Sequence, residues 1–123
     1  MIGYVTLGTN DFEKATKFYD ELLSEFGAKR FMEFGTFIAW GISPKQPMLA
    51  ITTPFDKNVA HHGNGTMVAL AAKSREQVDA IYKKVMELGG TDEAGPGPRG
   101  VTGFYAAYFR DLDGNKLNAF FIG

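Results

Sequence analysis

Cysteine is absent from the 123 residues, which excludes disulfides, thiolate metal sites and a thiol nucleophile and suits a reducing cytosol. Histidine is scarce as well, two residues in all, adjacent at His61 and His62. No surplus of one charge sign exists. The formal net charge is −1, with Lys and Arg scattered along the chain, so the electrostatic footprint required for gripping a phosphate backbone is missing and nucleic acid is not an expected partner. No apolar run approaches the length that crosses a bilayer, and the opening Met1-Ile2-Gly3-Tyr4 lacks a basic region followed by an apolar stretch. The expectation is a cytoplasmic protein without a membrane partner. What remains is ordinary globular material, 45% hydrophobic and 22% charged, of a length that suits one domain with one core.

The order of signals along the chain is given twice. Tyr4-Val5-Thr6-Leu7-Gly8 has the β-branched, alternating look of a strand. Asn10 with Glu13 has the form of a capping box, and Phe12, Ala15, Tyr19, Leu22, Leu23 and Phe26 follow at three- and four-residue spacing up to Gly27, predicting a helix over residues 11–26. Short segments at 29–34, 36–42 and 47–53, divided by Gly35 and Ser43-Pro44-Lys45, predict three strands. The second half repeats the order: a strand at 66–70, a capping box of Ser74 and Gln77, a stripe of Val78, Ile81, Tyr82, Val85 and Leu88 closed by Gly89-Gly90, and strands at 105–110 and 116–121. The strand required between that helix and the final hairpin has the weakest signal, because 91–103 is dominated by Gly and Pro. The two capping residues lie 64 positions apart, half the chain. This is a tandem βαβββ duplication, with modules of about 1–56 and 64–123 expected to form a single domain, and not a solenoid, which needs at least about three repeats.

These features resemble one superfamily in particular. The stretch from Tyr4 through Phe18-Tyr19-Asp20, Gly63-Asn64-Gly65-Thr66 leading into Val68-Ala69-Leu70, the helix start at Ser74-Arg75-Glu76-Gln77, Gly89-Gly90, and the closing Phe104 to Leu117 are similar to the vicinal oxygen chelate group, which includes glyoxalases, bleomycin-resistance proteins and extradiol dioxygenases. Leu112 stands where that group usually has Pro. The resemblance implies an α+β fold in which tandem βαβββ modules form a curled mixed sheet around a central cleft, usually within a homodimer.

Strand alternation then sorts the side chains. If Val5 and Leu7 face the helix, Tyr4 and Thr6 face the concavity; Met67 and Ala69 share that parity, as do Asn118 and Phe120 in the last strand. Metal-binding members of the group carry His near Tyr4, His at Met67, Glu at Asn118 and often a carboxylate around Ala50 to Thr52. This chain departs from the pattern at each of them. A thioether is soft, a carboxamide uncharged and an unperturbed phenol protonated at neutral pH, so no metal and no cofactor are expected.

Other constellations are weaker. His61-His62 is either a base at the cleft rim or part of a solvated linker, and the linker is preferred because no partner nearby would orient a base. Gly95-Pro96-Gly97-Pro98-Arg99-Gly100 reads as a ligand-gating loop, with Arg99 offering its planar fork, or as a rigid connection; it lacks the Lys and Ser/Thr of a phosphate loop. Asp111 to Asn115 is a hairpin turn and not a calcium loop. Ser24, Ser43 and Ser74 sit in no nucleophile elbow.

The expected function is metal-free capture of a small apolar or aromatic molecule. Trp40, Met67, Tyr105, Tyr108 and Phe120 would form the apolar lining, and Tyr4, Asn118 and Arg99 the polar contacts. One alternative is a lyase, isomerase or dioxygenase of the same superfamily with a non-standard site. Another is a dimer-forming structural partner that binds no ligand.

Overall fold

The computed structural model describes residues 1–100 and 102–123; position 101, within the Gly- and Pro-rich stretch, lies outside them. The chain divides into two compact units, Met1–His62 and Gly63–Gly123.

The first unit runs β1 (Tyr4–Gly8), α1 (Phe12–Ser24), β2 (Lys29–Phe34), β3 (Phe37–Gly41) and β4 (Met48–Thr52). Its sheet has the order β1-β4-β3-β2, with β1 parallel to β4 and the other pairs antiparallel. The apolar stripe of α1 buries Ala15, Phe18, Tyr19, Leu22 and Leu23. They form the core of the unit with Leu7, Ile38, Trp40, Leu49 and Ile51, all of them buried. Fully burying one such Leu or Phe contributes about 1.5–3 kcal/mol before ordering costs.

Helix α1 begins one residue later than the capping-box reading. Its N-cap is Asp11, whose side chain accepts from the Lys14 amide at 3.2 Å. Asn10 is used differently: its Nδ2 donates to the Ala60 carbonyl at 3.0 Å and its Oδ1 accepts from the Ala60 amide at 2.7 Å. The side chain thus clamps the connecting segment, a long-range use that local spacing does not reveal.

The second unit repeats the plan with β5 (Val68–Ala71), α2 (Arg75–Glu87), β6 (Thr91–Pro98), β7 (Phe104–Arg110) and β8 (Lys116–Ile122), in the sheet order β5-β8-β7-β6. Here the cap is the expected Ser74, with the return bond from Gln77 made one residue before it. Ser74 accepts from the Gln77 amide at 3.1 Å, and Gln77 Oε1 accepts from the Lys73 amide at 2.6 Å. Val78, Ile81 and Val85 of α2 are buried, as are Ala107, Phe109, Leu117 and Ala119 of the sheet.

The segment with the weakest strand signal forms β6. It is an edge strand, and its register against β7 shifts between Asp92 and Ala94 and again between Ala94 and Gly97. Pro is tolerated because an edge strand with bulges does not need every amide for its ladder. Asp111 closes the final hairpin, its Oδ1 accepting from the Asp113 and Asn115 amides at 2.9 Å each, with Gly114 at φ 85°. The architecture is α+β, two four-stranded mixed sheets each with one helix, in the βαβββ order twice.

Candidate functional site

In each sheet, the helix covers one face and leaves the other without a helix. In the second sheet the Tyr105 hydroxyl donates to Asp79 of α2 at 2.6 Å, which places Tyr105, Ala107 and Phe109 on the helix face by alternation. Ala106 and Tyr108 therefore stand on the opposite face. Register carries this across the sheet: Tyr108 is the cross-strand partner of Asn118, which is paired in turn with Ala69, while Ala106 is partner to Phe120. The helix-free face thus collects Asn118, Tyr108 and Phe120. Lys116, two residues before Asn118 on β8, shares it.

Arg99 joins them from the end of β6. Its Nε donates to the Ala106 carbonyl at 3.3 Å, a terminal nitrogen donates to the Gly95 carbonyl, and the guanidinium carbon sits 5.5 Å from the centre of the Tyr108 ring. Lys116 Nζ lies 5.6 Å from the same ring centre. Phe120 stacks on Phe104 with ring centres 5.9 Å apart. Asn118 is the electrostatic oddity of the group. It is only 2% exposed, yet its Oδ1 has no hydrogen-bond partner among the described residues.

Two of the residues singled out from sequence stand on helix faces instead. Trp40 is buried in the first unit, its Nε1 donating to Asp20 of α1 at 2.9 Å and its ring 5.9 Å from that of Tyr19. Tyr105 is tied to Asp79, beneath the Arg75 guanidinium at 5.0 Å. The Asp79 carboxylate pushes the Tyr105 hydroxyl above its ordinary pKa, with desolvation adding to the effect. Both polar ends are spent within the protein. Tyr4, 53% exposed on β1, meets Phe37 edge-on at 5.8 Å, and Met67, 40% exposed, lies just before β5. His61 and His62 are exposed in the connecting segment.

Lys116 and Phe104 were missed by the sequence reading. The alternation that picked out Asn118 would have found Lys116, had it been carried two residues back along the strand. A groove of about 450 Å³ beside α1, bordered by Thr16, Lys17, Arg30, Glu33 and Ile38, had no sequence signal either. Arg30 there is already engaged, with its terminal nitrogens 2.6 Å from Asp20 and 2.8 Å from Glu33.

The positions that carry metal ligands in the group this chain resembles hold other donors here. Tyr4, Met67 and Asn118 supply a phenol, a thioether and a carboxamide, and the strand Met48–Thr52 supplies no carboxylate. Among the described residues, no group of three or more His, Asp or Glu side chains is placed to hold an ion. None of these side chains offers the imidazole nitrogen or anionic oxygen that a divalent cation needs.

A duplicated βαβββ chain whose usual metal positions hold no metal-binding side chain defines a divergent glyoxalase-type protein. The family model described as Glyoxalase/Bleomycin resistance protein/Dioxygenase superfamily matches residues 1–119, and the chain belongs to that superfamily. Among solved structures it is similar to a glyoxalase/bleomycin resistance protein from Albidiferax ferrireducens T118, at 39% identity over 100% of this chain and 99% of that one, with a TM-score of 0.91. A hypothetical protein from S. aureus is 26% identical over 98% of this chain and 92% of its own, with a TM-score of 0.75. A lactoylglutathione lyase from Agrobacterium tumefaciens shares the fold, at 20% identity, 98% and 92% coverage and a TM-score of 0.71. No curated protein matches the chain.

Proposed function

We propose that this protein is a metal-free small-molecule-binding member of its superfamily that holds an apolar or aromatic ligand against the helix-free side of its sheets. The observation carrying the reading is the occupancy of the metal positions by Tyr4, Met67 and Asn118, whose side chains suit hydrogen bonding and apolar contact better than coordination. The aromatic residues Tyr108, Phe120 and Phe104 on one sheet face support it, as does membership of a family described in part by bleomycin resistance. The lyase among the solved structures is 20% identical and speaks to the fold alone. The same reading has the two units working as one domain of a cytoplasmic homodimer.

The test is metal analysis of dialysed protein combined with a thermal-shift screen of small aromatic compounds. Substoichiometric metal, no change in midpoint with EDTA or added Zn²⁺, and stabilisation by some of the compounds are expected. Stoichiometric metal that survives dialysis and supports turnover would overturn it.

A further inference from the structure

On the helix-free face of the second sheet, the buried Asn118 amide oxygen and two cations, Arg99 and Lys116, all neighbour Tyr108. A buried amide oxygen without a partner is costly, and native structures rarely leave one unless something outside the chain satisfies it. Asn118 Oδ1 is such an atom. It needs an O–H or N–H donor.

The cations are unbalanced in the same place. Arg30 is neutralised by Asp20 and Glu33, and Arg110 by Glu93 at 2.9 Å. Arg99 and Lys116 have no carboxylate partner among the described residues, and both are drawn over the Tyr108 ring. Two backbone carbonyls, of Ala106 and Gly95, hold Arg99 in place, leaving the rest of its fork open. A guanidinium immobilised in this way loses little freedom on accepting a planar carboxylate.

Spacing links the two features. Asn118 and Tyr108 are directly opposite on neighbouring strands, and Lys116 is two residues from Asn118 on the same face, roughly 6.6–7 Å along the strand. The stacked Phe104 and Phe120 rings give an apolar flank.

We propose that the helix-free face of the second sheet binds a small carboxylate that also carries an O–H or N–H donor, with Arg99 and Lys116 taking the carboxylate and Asn118 Oδ1 taking the donor. This rests on the small-molecule-binding reading and specifies its ligand class.

The test is calorimetric titration of the full chain near neutral pH with 4-hydroxybenzoate, 4-hydroxybenzamide, benzoate and 4-aminobenzoate. The two substituted benzoates are expected to bind at least about tenfold more tightly than the amide, which lacks the charge, or benzoate, which lacks the donor. Arg99→Met and Lys116→Met should each weaken 4-hydroxybenzoate about tenfold and leave the amide unchanged. Asn118→Leu should reduce 4-hydroxybenzoate to the level of benzoate, with benzoate unaltered and circular dichroism confirming the fold. The proposal is overturned if the amide binds as well as the carboxylate, if Lys116→Met and Asn118→Leu bind 4-hydroxybenzoate like the parent, or if neither substituted benzoate binds at millimolar concentration. Neutral aromatics that bind with no carboxylate advantage would remove this inference and leave the broader reading standing. A wide screen without any binder would remove both.

Discussion

Trp40 Nε1 donates to Asp20 Oδ1 at 2.9 Å, and both carboxylate oxygens of Asp20 also accept from Arg30, at 2.9 and 2.6 Å. One acid on α1 thus satisfies the buried indole and holds the guanidinium of β2. Asp20→Ala leaves the indole N–H buried without a partner, at a cost of about 1–3 kcal/mol. Urea denaturation followed by fluorescence of the single tryptophan measures it. Asp20→Asn keeps an acceptor and should cost less, since the half-exposed Arg30 pair is worth little by itself.

The same carboxylate sets an acid response. The hydrogen bond from Arg30, chiefly, with that from Trp40 and the Arg30 charge, holds the Asp20 carboxyl below its ordinary value despite the opposing desolvation. A lowered folded-state pKa gives stability that is fully present above the unfolded value, near 3.9, and is lost as pH falls through the folded one. The stability gap between the parent and Asp20→Asn should therefore be constant from about pH 5 upward and close below about pH 4. A gap that widens on acidification would contradict it.

Alkaline behaviour has the opposite sign. Tyr82 donates to Asp92 at 2.8 Å and Tyr105 to Asp79 at 2.6 Å, and each carboxylate raises the phenol's pKa. Raised folded values mean stability that is present below the unfolded pKa, near 10, and lost as pH climbs through the folded one. Replacing both with Phe should flatten the decline in thermal midpoint above about pH 10.

Asn118→Leu should stabilise the ligand-free protein, by about 1–3 kcal/mol, because it removes an unsatisfied buried oxygen and fills a similar volume. Chemical denaturation of the parent and variant without ligand measures the change. An equal or lower stability would mean that the amide is satisfied in solution.

Gly90→Ala should destabilise. An added Cβ would meet the Arg110 carbonyl oxygen at 2.8 Å and would also press on the Val85 side chain. Backbone cannot yield as a flexible side-chain end does, so an overpacking cost of about 1–3 kcal/mol is expected, seen as a lowered thermal midpoint.

Some of this was legible along the chain and some was not. The capping box at Ser74 was readable because Ser74, Gln77 and Lys73 lie within one turn. The apparent box at Asn10 misled because its side chain answers to Ala60, 50 residues away. Trp40 looked like a pocket residue, since residue type says an aromatic is buried without saying on which side. Its register opposite Leu49 and its bond to Asp20 put it under the helix.

Local periodicity by itself determined the βαβββ order and its duplication, because helix and strand spacings are properties of neighbouring residues. The resemblance to the superfamily, read residue by residue, showed that its usual metal positions hold Tyr4, Met67 and Asn118 here, with no imidazole or carboxylate. Only tertiary structure decided that Arg99, Tyr108, Lys116 and Asn118 share one sheet face and that the Asn118 oxygen is buried without a partner among the described residues. The reason is physical: cross-strand pairing brings together residues distant in sequence, and whether a polar atom is satisfied depends on every group around it.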